Sequence, residues 1–147
     1  MQEENAVKSF RPVDERECSR VLIEAAATGH VLDIRGSATK AGIGKPVAAD
    51  ATLSTRAMRG ISLYEPNEMV MSARAGTLLS LVEEELSQKG QMLSFEPTEL
   101  GPVVGGEPGE TTIGAVFATN TSGSRRIIYG AARDQVLGVR AVNGRGE

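Results

Sequence analysis

Aromatic residues are scarce in this chain: two tyrosines, three phenylalanines and no tryptophan among 147 residues. So thin a supply argues against a platform on which single-stranded nucleic acid would stack its bases. Cations do not dominate either. With 16 Lys and Arg against 19 Asp and Glu, the net charge of −3 has the wrong sign for following a phosphate backbone. One cysteine, Cys18, excludes an internal disulfide framework and a CxxC metal site, and fits a reducing compartment. One histidine, His30 beside Gly29, is read as a surface turn residue. It lacks the GxSxG elbow of a Ser-His-Asp hydrolase, and zinc would lack ligands. No apolar run approaches the roughly 20 residues that span a bilayer, and "MQEENAVKSF" lacks the apolar stretch of a signal peptide. The expected setting is soluble and cytoplasmic.

What is present is ordinary for a globular domain: 40% apolar and 24% charged residues. A chain of this length makes one domain and buries roughly two thirds of the surface its unfolded form exposes. "RPVDERECSRVLIEAAATG" predicts a helix with Asp14 as N-cap and Gly29 as stop, burying Cys18, Val21, Leu22 and Ala25 on one face. "VLDIR" (31–35) is then a strand, followed by the glycine-containing loop "GSATKAGIGKP". Further strands are expected at 51–55, 60–66, 68–76 and 135–142. The clearest helix is "TLLSLVEEELSQKG", capped by Thr77 and ended by Gly90, with Leu78, Leu79, Val82 and Leu86 as its buried stripe. Glu83, Glu84 and Glu85 are read as its solvated face. Residues 95–110 hold three prolines and four glycines and predict a long loop, a feature that is usually functional in a compact domain.

Nucleotide motifs of the usual kinds fail. "AGIGKP" departs from GxxxxGK[ST] twice, with Thr39 at the first glycine position and Pro46 where a magnesium-binding hydroxyl belongs. No GxGxxG follows a strand. Asn120-Thr121-Ser122 fits a glycosylation pattern but is read as structural. Two small-residue segments survive. "RGSATK" (35–40) sits at a strand end, where consecutive N–H groups can converge into an anion-binding nest. "TTIGAVFATNTSG" (111–123) is uncharged and rich in small side chains, so a bulky ligand could approach its main chain. Together they fit a pyrophosphate-containing nucleotide lying between two loops; tight turns and close helix packing are the structural alternative.

The ordered series "VLDIRGSATK", "SARAGTLLSLVEEELSQKGQMLSFEP" and "ETTIGAVFATNTSG…YGAARDQVLGVRAVNGRGE" resembles the FAD-binding domain of the vanillyl-alcohol oxidase/PCMH flavoprotein superfamily. "FEP", "SGSRR", "YGAARDQVLGV" and "NGRGE" narrow the likeness to the E subunits of bacterial glycolate oxidases. The resemblance runs from about Val7 to the last residue. It implies an α+β fold in which two small α/β subdomains clasp FAD, the first about 7–95 and the second beginning at about 96–147. The second would be incomplete at its C-terminus, because family members are considerably longer.

By position, Arg35, Gly36, Ser37, Ala38 and Thr39 would form the first pyrophosphate-binding loop. Thr112, Ile113, Gly114, Ala118, Ser122 and Gly123 would line the second flavin-contacting segment. Pro97 would lie near the isoalloxazine and Val142 near the adenine. No histidine occurs in 35–44, so FAD would be held non-covalently, and no residue present is a catalytic candidate. The first loop has less glycine than the superfamily pattern, so Ser37 and Ala38 would each carry strain of about 1–2 kcal/mol if left-handed. A tryptophan at Gly114 is expected to abolish FAD binding with the fold largely kept. The implied function is the FAD module of a protein that oxidises a 2-hydroxy acid, partnered by a D-type flavoprotein subunit and an iron–sulfur subunit. The alternatives are a cofactor-free remnant acting as an assembly surface and another PCMH-type D-2-hydroxy-acid dehydrogenase. Arg125, Arg126 and Arg133 are read as solvated rather than phosphate-bound.

Overall fold

The computed structural model describes residues 8–103 and 110–147, so positions 104–109 of the expected long loop lie outside the described residues. The chain opens with strand β1 (Lys8–Phe10) and helix α1 (Glu15–Thr28). Asp14 caps α1, its carboxylate accepting from Glu17 N–H at 2.8 Å, while the Glu17 side chain accepts from Val13 N–H at 3.0 Å. The first bond satisfies a donor that a helix start leaves orphaned, and the second ties the entering chain to the first turn. Gly29 ends the helix in the left-handed conformation, φ 70°, with its N–H turned back to Ala25 and Ala26. Of the expected inner face, Cys18 and Ala25 are buried and Val21 and Leu22 half-buried. Burial raises the Cys18 thiol above its ordinary pKa. His30 is exposed at the turn that follows, its Nδ1 2.6 Å from Thr28 Oγ1.

Strands β2 (Leu32–Arg35) and β3 (Ala51–Ser54) complete a parallel sheet of order β1-β3-β2. The central strand pairs on both sides, Lys8 and Leu32 opposite Ala51, Phe10 and Ile34 opposite Leu53. Its alternation is the one a half-buried strand requires: Ala51 and Leu53 point inward and Leu53 is fully buried. A second sheet is the antiparallel hairpin of β4 (Ile61–Glu65) and β5 (Val70–Ala73). The helices α2 (Leu79–Ser87), α3 (Ile113–Thr119) and the short α4 (Arg126–Tyr129) follow.

Most of the hydrophobic core lies among these later elements. Leu79, Val82 and Leu86 of α2 pack with Phe95, Ile113 and Val116 of α3, and Ala132, with Tyr64, Met71 and Ala73 of the hairpin against them. The Phe95 and Phe117 rings meet at 5.9 Å in a tilted pair. Glu83, Glu84 and Glu85 are on the exposed face of α2 as expected.

Three expectations are corrected. Thr77 does not cap α2; the N-cap is Leu78, which supplies no side-chain bond. The Thr77 hydroxyl instead lies within bonding distance of Gly60 N–H, Gly60 O and Arg74 O, tying the hairpin entry to its exit. Leu78 is only half-buried, and its backbone pairs with Thr112 in an isolated bridge. The strand expected at 135–142 does not form: a 3-10 turn covers Ala132–Gln135 and no ladder follows. β-branched and aliphatic composition signals a strand only where a neighbouring strand is present, and Leu137 and Val139 are 85% and 74% exposed.

Candidate functional site

The loop after β2 is built to leave its donors free. Ser54 Oγ donates to the Gly36 carbonyl at 3.2 Å and Thr55 Oγ1 to the Arg35 carbonyl at 3.4 Å, so the carbonyls at the loop's start are held by the end of β3. Among the described residues, the backbone N–H groups of Ser37, Ala38, Thr39 and Lys40 donate to no protein acceptor. The Ser37 hydroxyl is buried and also has no partner. Buried polar groups are rarely left unsatisfied in a native fold, and a run of free N–H groups forms the concave donor set that binds anions. Ala38 sits at φ 61°, whereas Ser37 is not left-handed; the strain expected at both positions falls on Ala38 alone. The Arg35 guanidinium is paired with Asp33 on its own strand.

This loop rests directly on the start of α3. Gly36 faces Thr112 with no room for a side chain, and Thr39 Oγ1 lies 3.1 Å from Thr111 Oγ1. The N-terminal donors of α3 are used within the protein. Ile113 N–H goes to Thr77 O at 2.8 Å, Gly114 N–H to Ala75 O at 2.9 Å, and Ala115 N–H to its cap, the Thr112 hydroxyl, at 3.4 Å. An incoming anion would thus find its donors on the 37–40 loop and not on this helix.

Two small residues of 111–123, Gly114 and Gly123, serve close packing of main chain on main chain. A Cβ on Gly114 would lie 2.7 Å from Ala75 O, and one on Gly123 would lie 2.6 Å from Glu96 O. Gly123 N–H donates to Phe95 O at 3.0 Å, which fixes the turn at Glu96, itself left-handed at φ 46° and followed by the half-buried Pro97. Ser122 Oγ accepts from Ala132 N–H at 2.9 Å. Asn120, left-handed at the C-cap of α3, accepts from Arg133 N–H at 3.0 Å, a structural use of that residue. Ala118 is exposed on α3. Arg125 is half-buried, its guanidinium 4.8 Å from the Tyr129 ring centroid, while Arg126 and Arg133 are exposed.

Some of the candidate residues meet in contacts, 36 and 39 with 111–112 and 123 with 95–96, while Gly114 packs on Ala75. Val142 lies apart from them. It lines an open surface cavity with Glu15, Arg16 and Ser19 of α1, to which none of the other candidates contributes.

Three residues not named as site candidates join the first contact, two of them, Lys40 and Thr111, inside the segments already singled out. Thr111 Oγ1 donates to Glu99 Oε1 at 2.5 Å and lies 3.4 Å from Lys40 Nζ. Thr111 is fully buried and Lys40 only 9% exposed. Burial pulls the Lys40 ammonium below its ordinary pKa, and the negative charge of Glu99 partly opposes that. On α2, partial desolvation at the otherwise exposed Glu83 raises its carboxyl above the usual range, and Glu99 adds to the rise. Lys40 directly follows the small-residue loop and Thr111 opens the uncharged stretch; a buried partner for each was the signal available, but Glu99 carries no local mark in the loop at 95–110.

Residues 8–147 match the family described as the FAD binding domain. The chain belongs to that PCMH-type family, whose cofactor is FAD. It is 41% identical over 138 residues to glycolate oxidase subunit GlcE of Escherichia coli (strain K12), across 90% of this chain and 37% of that protein. It is 30% identical over 134 residues to the mitochondrial D-2-hydroxyglutarate dehydrogenase of Rattus norvegicus, across 90% of this chain and 24% of that one. The fold is shared with Phl p 4, a grass pollen allergen with glucose dehydrogenase activity, at a TM-score of 0.74 and 16% identity over 99% of this chain and 29% of that one. The chain thus spans well under half of either curated relative. Free amides and an orphaned buried hydroxyl in the loop after β2 suit the diphosphate of this cofactor. No helix among the described residues is long and apolar enough to cross a membrane.

Proposed function

We propose that this chain is the FAD-binding module of a glycolate-oxidase-type flavoprotein and holds FAD without a covalent bond. The observation that carries the reading is the unsatisfied donor set of the first loop, the N–H groups of Ser37 to Lys40 with the buried Ser37 hydroxyl. Three or four hydrogen bonds to a charged diphosphate at about 1.5–3 kcal/mol each would amount to a large share of a cofactor's affinity. Arg35, Gly36, Ser37, Ala38 and Thr39 take the diphosphate. Thr112, Ile113, Gly114, Ala118, Ser122 and Gly123 flank the flavin, with Pro97 on its isoalloxazine side and Val142 toward the adenine. The two subdomains divide near residue 95. Bound FAD supplies the two-electron acceptor for oxidising a 2-hydroxy acid to the 2-oxo acid. The protein's part is to bind and orient it. Likeness to a glycolate oxidase subunit and to a D-2-hydroxyglutarate dehydrogenase supports that substrate class, and partners would include a D-type flavoprotein subunit and an iron–sulfur subunit.

Titration of the purified chain with FAD, following flavin fluorescence and thermal melting together, tests the reading. Saturable binding with a raised melting point is expected, since a ligand at about 100 times its Kd stabilises the folded state by about 2.7 kcal/mol. A cooperatively folding chain that leaves flavin fluorescence and melting unchanged would remove FAD binding from its function. A second reading, an assembly surface without cofactor, draws support from Ile127, Ile128, Leu137 and Val139, which are 88%, 79%, 85% and 74% exposed.

A further inference from the structure

Thr111 Oγ1 is a junction where three segments meet: the loop at 36–40 through Thr39 and Lys40, the loop at 95–101 through Glu99, and the entry to α3 through Thr111 itself. The chemistry of the partners fixes the direction of every bond. An ammonium can only donate and an ionised carboxylate can only accept. The single Thr111 proton therefore points to Glu99 Oε1 at 2.5 Å, and the two lone pairs face Lys40 Nζ at 3.4 Å and Thr39 Oγ1 at 3.1 Å. Thr39 must then donate. Glu99 is held in its turn, Oε1 accepting from Gly101 N–H at 3.2 Å. The junction uses all the hydrogen-bonding capacity of a fully buried hydroxyl, and it lies immediately beside the free amides of the loop.

We propose that Thr111 is a positioning residue for the diphosphate of FAD: with Glu99 and Lys40 fixing its polarity, it locks the 36–40 loop onto α3 in the shape that binds the anion. The proposal rests on the FAD site argued above. Binding energy from a preformed donor set is lost when the set must be ordered at the moment of binding. Losing the junction should therefore loosen the loop before any ligand arrives and weaken diphosphate binding afterwards. Lys40 and Glu99 together leave the junction without net charge, so the cluster does not itself repel the phosphates.

The test compares the wild-type chain with Thr111→Val, Thr111→Ser and Glu99→Gln. Two readouts are taken: hydrogen exchange without ligand of the loop amides that are bonded, Ala41 to the Ala38 carbonyl and Ile43 to the Lys40 carbonyl, and FAD affinity by flavin fluorescence. In Thr111→Val, exchange at Ala41 and Ile43 should rise while that of α2 stays as in wild type, and FAD affinity should fall about tenfold or more. Thr111→Ser keeps the hydroxyl and should restore both readouts. Glu99→Gln keeps an acceptor but removes the charge opposite Lys40, and should fall between valine and wild type. The proposal is overturned if Thr111→Val matches wild type in both readouts, if exchange rises throughout the chain, or if serine fails to restore the loop. A wild-type chain that binds no FAD overturns the FAD reading and this role with it. Wild-type binding with an indifferent valine variant overturns this role alone.

Discussion

The α-carbon of Gly36 faces the Thr112 side chain so closely that a methyl group there would overlap Thr112 Oγ1 and lie 3.1 Å from its Cγ2. Thr112 cannot turn aside freely, because its hydroxyl caps α3 through Ala115 N–H. Gly36→Ala should therefore destabilise the chain by about 1–3 kcal/mol, the usual cost of overpacking. Thr112→Ala alone should cost about 1 kcal/mol through the lost cap. Combined, the two changes should cost less than their sum, because the alanine at 112 vacates the space that the methyl at 36 needs. Urea denaturation of the four proteins measures this, and strict additivity would sink the contact.

Gly114 is in a similar position against a different neighbour. A Cβ there would lie 2.7 Å from the Ala75 carbonyl oxygen and 2.8 Å from Ala75 Cβ, and the Gly114 N–H bonds that same carbonyl. Gly114→Trp, expected from sequence to spare the fold, should instead abolish cooperative melting because the side chain would leave its backbone directly into Ala75. Gly114→Ala should already cost about 1–3 kcal/mol. Circular dichroism melts report both. A tryptophan variant that melts as wild type would show that the 75–114 contact can open at little cost.

Ala38 is exposed and left-handed at φ 61°. An alanine there costs about 1–2 kcal/mol of backbone strain, whereas glycine adopts the conformation freely and loses only about 0.5–1 kcal/mol through the unfolded chain. Ala38→Gly should accordingly stabilise the protein by up to about 1 kcal/mol, with FAD affinity preserved. A lower midpoint in urea would mean that the alanine makes a compensating contact.

Helix α1 and both of its ends were legible in the sequence because capping is local chemistry: Asp14 and Gly29 act on residues within one turn. The strand after it was legible as a short apolar run between turn residues, and it finds its partner in β3. The strand expected at 135–142 failed because pairing depends on a partner that no local pattern reveals. Thr77 looked like a cap by its position before an apolar stripe, yet its hydroxyl serves Gly60, a residue on the other side of the hairpin. The glycines at 114 and 123 were read as room for a ligand beside the main chain, with close packing as the alternative; sequence could not say that Ala75 and Glu96 approach them. Glu99 was illegible altogether, since its meaning lies in Thr111 and Lys40.

Lys40 links stability to pH in a direction that can be worked out. Burial holds its folded-state pKa below the ordinary 10.5, with Glu99 offsetting only part of the fall. Below the folded pKa both states carry the proton, and the native protein bears the whole burial penalty. Between the folded and ordinary values the unfolded chain holds more protons, so this group's penalty is relieved as pH rises. Above the ordinary value both states are neutral. Methionine has a similar length and no charge to bury. Lys40→Met should melt higher than wild type at about pH 7, and its advantage should shrink as pH approaches about 10. Thr111 would keep Thr39 and Glu99 as partners, so the fold has no orphaned hydroxyl to resist the change. FAD binding should nonetheless weaken, since the loop loses one of its two ties to Thr111. Melting temperatures of both proteins across that pH range, with FAD titrations at neutral pH, measure the two effects side by side. A melting difference that stays constant with pH would show that Lys40 feels no burial penalty in the folded chain.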